Sequence, residues 1–157
     1  MPSTVAETPI INPGSLDEEY IHVVAGIIWQ PGDERRFLIA QRQKGKHLQD
    51  YWEFPGGKLE AGETPRQALQ RELAEEINID PIRARPFMQV YFRYPERNVL
   101  LDSWVVEDYR GTVEPLEQQS LRWIEVSEVD QYRLPPADVP IVEAIRNSVA
   151  VETRYSL

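Results

Sequence analysis

Three glutamates, Glu72, Glu75 and Glu76, fall at positions i, i+3 and i+4 of the run RQALQRELAEEI. In a helix that spacing brings the carboxylates out on one side within about one turn. Together they can hold a divalent cation through oxygen ligands. At about 100° per residue, Glu76 lies only about 20° from Leu69 on the helical wheel, with Glu72 beside it. The acids therefore border the face that packs inward. A wholly solvated acidic helix would spread its like charges or match them with lysines four residues on. Compression against an apolar stripe invites a cation instead; the plain alternative is an acidic surface with Arg71 as an ordinary salt-bridge partner. Hard oxygen donors suit Mg2+ or Mn2+, and a chain without cysteine offers no thiolate nucleophile and no zinc-thiolate site.

The bulk properties narrow what such a cation would serve. A formal charge of −9 argues against stable binding of duplex nucleic acid, which calls for basic surface. Free nucleotides remain, because divalent cations can sit between carboxylates and phosphates. With 157 residues, 41% of them hydrophobic and 27% charged, the chain has the length and balance of one globular domain. Its longest apolar run, Val23 to Trp29, is far short of the roughly 20 residues that cross a bilayer, so no membrane partner is expected. The N-terminal stretch MPSTVAETPIINPG lacks the basic start and apolar core of a secretory signal, which leaves the cytoplasm as the default location. The oligomeric state is open.

Stepping along the chain, residues 1–18 read as a flexible tail, 19–150 as the domain and 151–157 as a second tail. Ile21 to Trp29 is β-branched and too short for a typical helix, which predicts a buried strand. The turn at Pro31, Gly32 and Asp33 leads to a second strand at Phe37 to Ala40, so the two form a hairpin or near neighbours. Tyr51 to Phe54 is extended and stops at the break Pro55-Gly56-Gly57, after which a loop leads to the helix. Thr64 as N-cap, Pro65 in the first turn and Gln67 completing a capping box start that helix. Asn78 is suited to the left-handed conformation that ends it, and Pro81 prevents continuation. Strands follow at Phe87 to Tyr94, Asn98 to Val106 and Leu121 to Val126. After Leu134-Pro135-Pro136-Ala137-Asp138, the spacing of Val142, Ile145 and Val149 predicts a last helix, for which Asp138 can serve as N-cap.

From Gly56 to Ile79 the chain reads GGKLEAGETPRQALQRELAEEINI, which resembles the signature of the Nudix hydrolases. Gly57, Glu63, Arg71, Glu72, Leu73, Glu75, Glu76 and Ile79 stand at the family's intervals, and Asn78 replaces its usual glycine. Asparagine reaches the same positive-φ conformation at modest cost. The resemblance implies an α/β class fold, an α/β/α sandwich around a mixed β-sheet. Over Ile21 to Ile145 the chain further resembles the MutT branch, through the strand ending in Arg42, WEFPGG, YPERNVLL and LPPADVP. A bacterial CTP pyrophosphohydrolase shares the Pro-Ala-Asp-hydrophobic-Pro sequence.

The activity so implied is hydrolysis of a nucleoside triphosphate to the monophosphate and pyrophosphate, a nucleotide-pool sanitation reaction on 8-oxo-dGTP or cytosine nucleotides. Hydrolysis of nucleoside-diphosphate sugars or dinucleotides, and a non-catalytic nucleotide sensor, are the alternatives. By the same resemblance, Glu72, Glu75 and Glu76, with the carbonyl of Gly56, bind Mg2+, and Glu117 completes the set. Glu72 or Glu117 would take the proton of the attacking water. Glu63 supports the loop and Arg71 orients the acids. Arg42 and His47 take positions of phosphate or nucleotide contacts; Glu53 and Phe54 border the base through backbone polar groups and an aromatic face. Pro55 and Gly56 line the substrate, Tyr94 stacks on the base, and Trp52 belongs to the core. At the position of Asp138 the 8-oxopurine-specific pattern has asparagine. An ionised aspartate only accepts hydrogen bonds, which favours broader or cytosine-directed selectivity.

Overall fold

The computed structural model describes residues 19–46 and 48–155. His47 and the tail expected over 1–18 lie outside the described residues. Among the described residues, seven strands and two α-helices follow in the order β1 (Ile21–Gln30), β2 (Asp33–Gln41), β3 (Trp52–Glu53), β4 (Gly56–Lys58), α1 (Pro65–Ile77), β5 (Ile79–Arg93), β6 (Asn98–Gly111), β7 (Leu121–Glu125) and α2 (Val139–Tyr155). The main path of the sheet runs β3-β2-β1-β6-β5, with β4 on β1 and β7 on β2. β1 and β6 are parallel from Ile21↔Val99 to Ile28↔Val106, and the other pairings are antiparallel. The sheet is thus mixed, as expected.

Side chains alternate across a strand, and β1 uses this to serve two cores. Val24 and Ile28 meet Leu69, Leu73 and Ile77 of α1 on one face. Ala25 and Ile27 join Phe37, Ile39 and the Ile141, Val142 and Ile145 of α2 on the other. Each helix presents one apolar stripe to the sheet, which completes the α/β/α sandwich.

Helix α1 starts and stops where local chemistry dictates. The Gln67 N–H donates to Thr64 Oγ1 at 3.1 Å and the Thr64 N–H to Gln67 Oε1 at 2.9 Å, a reciprocal capping box. Asn78 ends the helix in the left-handed region at φ 67, its N–H returning to the Leu73 carbonyl.

Strands β2 and β6 run longer than expected, from Asp33 and to Gly111, and three further boundaries differ. The segment read as a break contains β4, which pairs with β1 at Val23↔Lys58, Val24↔Gly57 and Ala25↔Gly56. β2 registers with β1 only near the turn, at Trp29↔Phe37 and Gln30↔Asp33, so this part of the β1 edge is open to β4. Strand β5 begins at Ile79 rather than Phe87 and passes through Pro81 and Pro86. It is an edge strand, and its pairing with β6 shifts register beside both prolines, which relieves their missing N–H. Helix α2 runs to Tyr155, past the tail expected from 151, because no proline or glycine interrupts it after Pro140. No helix among the described residues is long and apolar enough to cross a membrane.

Thr64→Ala removes the oxygen that accepts from Gln67 and leaves a helix donor unsatisfied. It should cost about 1 kcal/mol, read in urea denaturation as a lower midpoint at unchanged slope.

Candidate active site

Where α1 meets β4, two glycines permit a close approach. A Cβ on Gly57 would overlap the Glu72 carboxylate, and one on Gly56 would overlap the Val24 carbonyl. The Gly56 N–H donates to the Glu76 carboxyl. The strand and the helix therefore approach backbone to carboxylate, with no side chain between them.

Arg71 governs the outer side of this contact. Its Nε lies 2.6 Å from Glu63 Oε2 and its Nη2 2.9 Å from Glu63 Oε1, a bidentate fork. Its Nη1 reaches Glu72 at 2.9 Å and Glu75 at 3.4 Å, while Nη2 also donates to the Lys58 carbonyl. Glu63 in turn accepts from the Glu60 N–H at 2.8 Å, and these bonds hold its carboxyl down at about 2. Glu63 thus fastens the loop and Arg71 orients the acids.

Glu117 arrives by a different route. The last carbonyls of α1 lack partners within the helix, and the loop after β6 supplies them. Glu114 N–H donates to the Ile77 carbonyl, and Leu116 N–H and Gln119 Nε2 donate to that of Glu76. Buried Gln119 also accepts the Glu117 N–H at 3.0 Å. Capping the helix end places Glu117 close enough to Glu72 and Glu76 for its charge to raise the pKa of both.

These acids open onto a cavity of about 540 Å³. Glu72, Glu76, Glu117 and the β4 glycines form one end; Tyr94 and Asp138 lie among its other lining residues. Arg42, at the end of β2 and beyond it in sequence, places Nη1 2.6 Å from Glu53 Oε1. Burial nevertheless raises the Glu53 carboxyl, with Arg42 opposing. Burial also raises Glu72, against the pull of Arg71. Glu76 is driven to about 9 by burial and then by the charges of Glu53, Glu72 and Glu117. Asp138 is pushed well above the usual carboxylate range by burial and by Glu53, with Arg42 again opposing.

The expected residues divide accordingly. Arg42, Glu53, Phe54, Gly56, Glu72, Glu76, Tyr94, Glu117 and Asp138 all line the cavity. Glu75 does not; its side chain is 58% exposed and turned to Arg71. Pro55 is absent from the lining, its carbonyl committed to the Gly26 N–H at 2.8 Å. Phe54 is buried and tilted against Phe37 in the core, so it floors the cavity more than it faces it. Trp52 is half-buried at the sheet edge, between Tyr132 and the Arg122 guanidinium, and packs against the core from its border. Asp138 sits inside a 3-10 turn, Pro136–Asp138, with Oδ2 buried and without a hydrogen-bond partner, so it does not act as the expected N-cap. Arg97, from the YPERNVLL segment that carried part of the resemblance, also lines the cavity, and Lys46 joins it unanticipated. The only sequence signal of Lys46 was a basic residue in a loop, which is also the mark of ordinary surface. The Glu53 side chain was missed as well, having been given a backbone role.

The architecture and the acid-lined cavity define a mixed-sheet hydrolase fold whose chemistry centres on one loop and one helix. A NUDIX domain family model matches residues 20–145. The chain is 40% identical over 124 residues to the CTP pyrophosphohydrolase of Escherichia coli, covering 79% of this chain and 90% of that protein. It is 35% identical over 132 residues to the 8-oxo-dGTP diphosphatase of Haemophilus influenzae, covering 84% and 96%. A solved MutT structure, from work on Aliivibrio salmonicida and Vibrio cholerae, superposes with a TM-score of 0.71 at 35% identity, covering 83% of this chain and 99% of that one. The chain belongs to the Nudix hydrolase family.

Hydrolases of this family generally use a divalent metal, and the donor set here fits one. Carboxylates of Glu72, Glu76 and Glu117 line the same cavity; the charge of Glu117 raises the pKa of Glu72 and Glu76, and that of Glu72 raises Glu76, a repulsion that a cation between them relieves. Among the described residues no three such groups already converge on one ion position. Arg71 draws Glu72 and Glu75 outward, and like charges do not close up unaided.

The sign of the pH dependence follows. Glu76 moves from 4.5 to about 9 on folding, so the folded chain binds the extra proton between those values. Its stabilising contribution is complete below 4.5 and is lost as pH rises toward about 9. Chelator-treated protein should therefore lose thermal stability across that range, and Glu76→Gln should flatten the loss. An equal slope in both proteins would reject the assignment.

Proposed function

We propose that the chain is a magnesium-dependent nucleoside triphosphate pyrophosphohydrolase that releases the monophosphate and pyrophosphate, with Mn2+ as a substitute cation, and that it clears unwanted nucleotides from the pool. The observation that carries this reading is a single cavity with three carboxylates at one end, basic Arg42, Lys46 and Arg97 on its wall, and Asp138 buried in its lining.

Glu72, Glu76 and Glu117, with the Gly56 carbonyl, would hold the metal, and Glu75 would join from the solvent side. A bound cation would neutralise phosphate charge and lower the pKa of the attacking water. Glu72 or Glu117 accepts that water's proton, having the geometry of a carboxylate at the same cavity end. Lys46 and Arg97 attract the phosphate chain. Arg42 orients Glu53 as well as facing phosphate, since one of its N–H groups is committed there. Arginine's fixed fork allows both contacts at once.

Asp138 shapes the choice of base. Burial and Glu53 favour its neutral acid, which offers an O–H donor beside a carbonyl acceptor. That is the pair asparagine would present. Beside the acceptor expected of an aspartate, with its broader or cytosine-directed selectivity, a carboxyl whose neutral form is favoured can also donate, which suits an 8-oxopurine as well.

Three measurements test the reading. A nucleotide panel with Mg2+ should yield pyrophosphate and monophosphate; tight binding without turnover would make the protein a sensor instead. Glu76→Gln should remove most turnover while keeping the fold, and the exposed Glu75 should tolerate the same change better. Near-wild-type activity of Glu76→Gln at saturating Mg2+ would put the metal elsewhere. Asp138→Asn keeps donor and acceptor at every pH. It should raise catalytic efficiency for 8-oxo-dGTP relative to CTP increasingly as pH rises and the native carboxyl gives up its proton; a ratio unchanged from the native protein at every pH would remove Asp138 from base reading.

A further inference from the structure

The turn that carries Asp138 begins with an unmet donor. Its N-cap, Pro135, is extended at φ −60 and ψ 149 and has no side-chain acceptor. Pro136 has no N–H, so Ala137 offers the first N–H that the turn itself leaves without a partner. The oxygen comes from a distant part of the chain. The Ala137 N–H donates to the Tyr94 hydroxyl at 3.2 Å. Asp138, one residue on, donates its own N–H to the Pro135 carbonyl at 2.9 Å.

Tyr94 is itself held firmly. It closes the β5–β6 hairpin through Tyr94 N–H to the Arg97 carbonyl at 2.8 Å and Arg97 N–H to the Tyr94 carbonyl at 3.2 Å. Its ring leans on Phe92, centroids 4.7 Å apart. The hairpin thus fixes the hydroxyl, and the hydroxyl docks the turn. Any shift of that turn carries Asp138 with it, and Asp138 Oδ2 is buried in the cavity lining with no hydrogen-bond partner among the described residues. A buried polar atom of this kind is costly unless something fills the cavity and meets it.

We propose that Tyr94 is a specificity-determining positioning residue: its hydroxyl latches the Pro136–Asp138 turn to the β5–β6 hairpin and so sets where Asp138 meets the nucleobase. This rests on the reading of Asp138 as a base contact. It replaces simple ring stacking as the reason for tyrosine here, since phenylalanine would stack as well but could not accept from Ala137.

The test is a double-mutant cycle of Tyr94→Phe and Asp138→Ala, with KM and kcat measured for 8-oxo-dGTP and CTP and thermal denaturation run in parallel. Tyr94→Phe removes one oxygen and keeps the ring, and Asp138→Ala removes an unsatisfied buried group, so both should fold. Tyr94→Phe is expected to change the ratio of catalytic efficiencies for the two nucleotides about three- to tenfold, more through KM than kcat. In the Asp138→Ala background the same change should leave the ratio where it is, because the group being positioned is gone. If Asp138→Ala shifts the ratio and Tyr94→Phe does not, or Tyr94→Phe lowers both substrates equally, the latch is overturned and the base contact stands. If Asp138→Ala leaves the ratio untouched, the base contact falls and the latch with it.

Discussion

Glu53, Glu72, Glu76 and Glu117 face one cavity, and like charges in a partly dehydrated space repel. Holding them there is the constraint that the surrounding structure answers. Two arginines flank the group from opposite sides: Arg71 ties Glu72 to the loop through Glu63, and Arg42 ties Glu53 to the end of β2. Protons absorb part of the remaining strain, most plainly at Glu76. The backbone supplies the rest, with the Gly56 N–H on Glu76 and the capping loop that delivers Glu117. None of these devices removes the repulsion. They fix the acids at a separation from which a cation can gather them.

The two arginines also divide the cavity. Arg71 lies outside it and works on orientation, whereas Arg42 is part of its wall and meets Glu53 there. Glu53 raises the pKa of Glu76, Tyr94 and Asp138 alike, so its charge is felt from helix α1 to the Pro136–Asp138 turn. The groups on these separate elements share an electrostatic neighbour, and changes at Glu53 cannot be confined to one of them.

What was legible in the sequence was the part decided within a few residues. The capping box of Thr64 and Gln67, the left-handed Asn78 and the inward lean of Glu72 and Glu76 each depend on contacts one helical turn apart. The mixed sheet and both helices followed from periodicity and from the family resemblance. The rest depends on distant partners. β4 has two glycines and no side-chain pattern, so only the open edge of β1 reveals it as a strand. The prolines of β5 read as breaks until the strand is seen at the sheet edge. Arg42 is eleven residues from Glu53 by |i−j|, and Gln119 is 43 from Glu76; neither pairing is implied by local spacing. The upward push on the Asp138 carboxyl comes first from burial, which no residue type announces.

The close approach of Gly57 and Glu72 couples strand β4 to helix α1. A methyl group at 57 would claim the volume in which the Glu72 carboxylate now lies, so a side chain there has to turn that carboxylate away from the strand. What position 57 can hold is therefore tied to where the acid points, and a change at the glycine is felt first as a displaced carboxylate and only afterwards as a change in the strand.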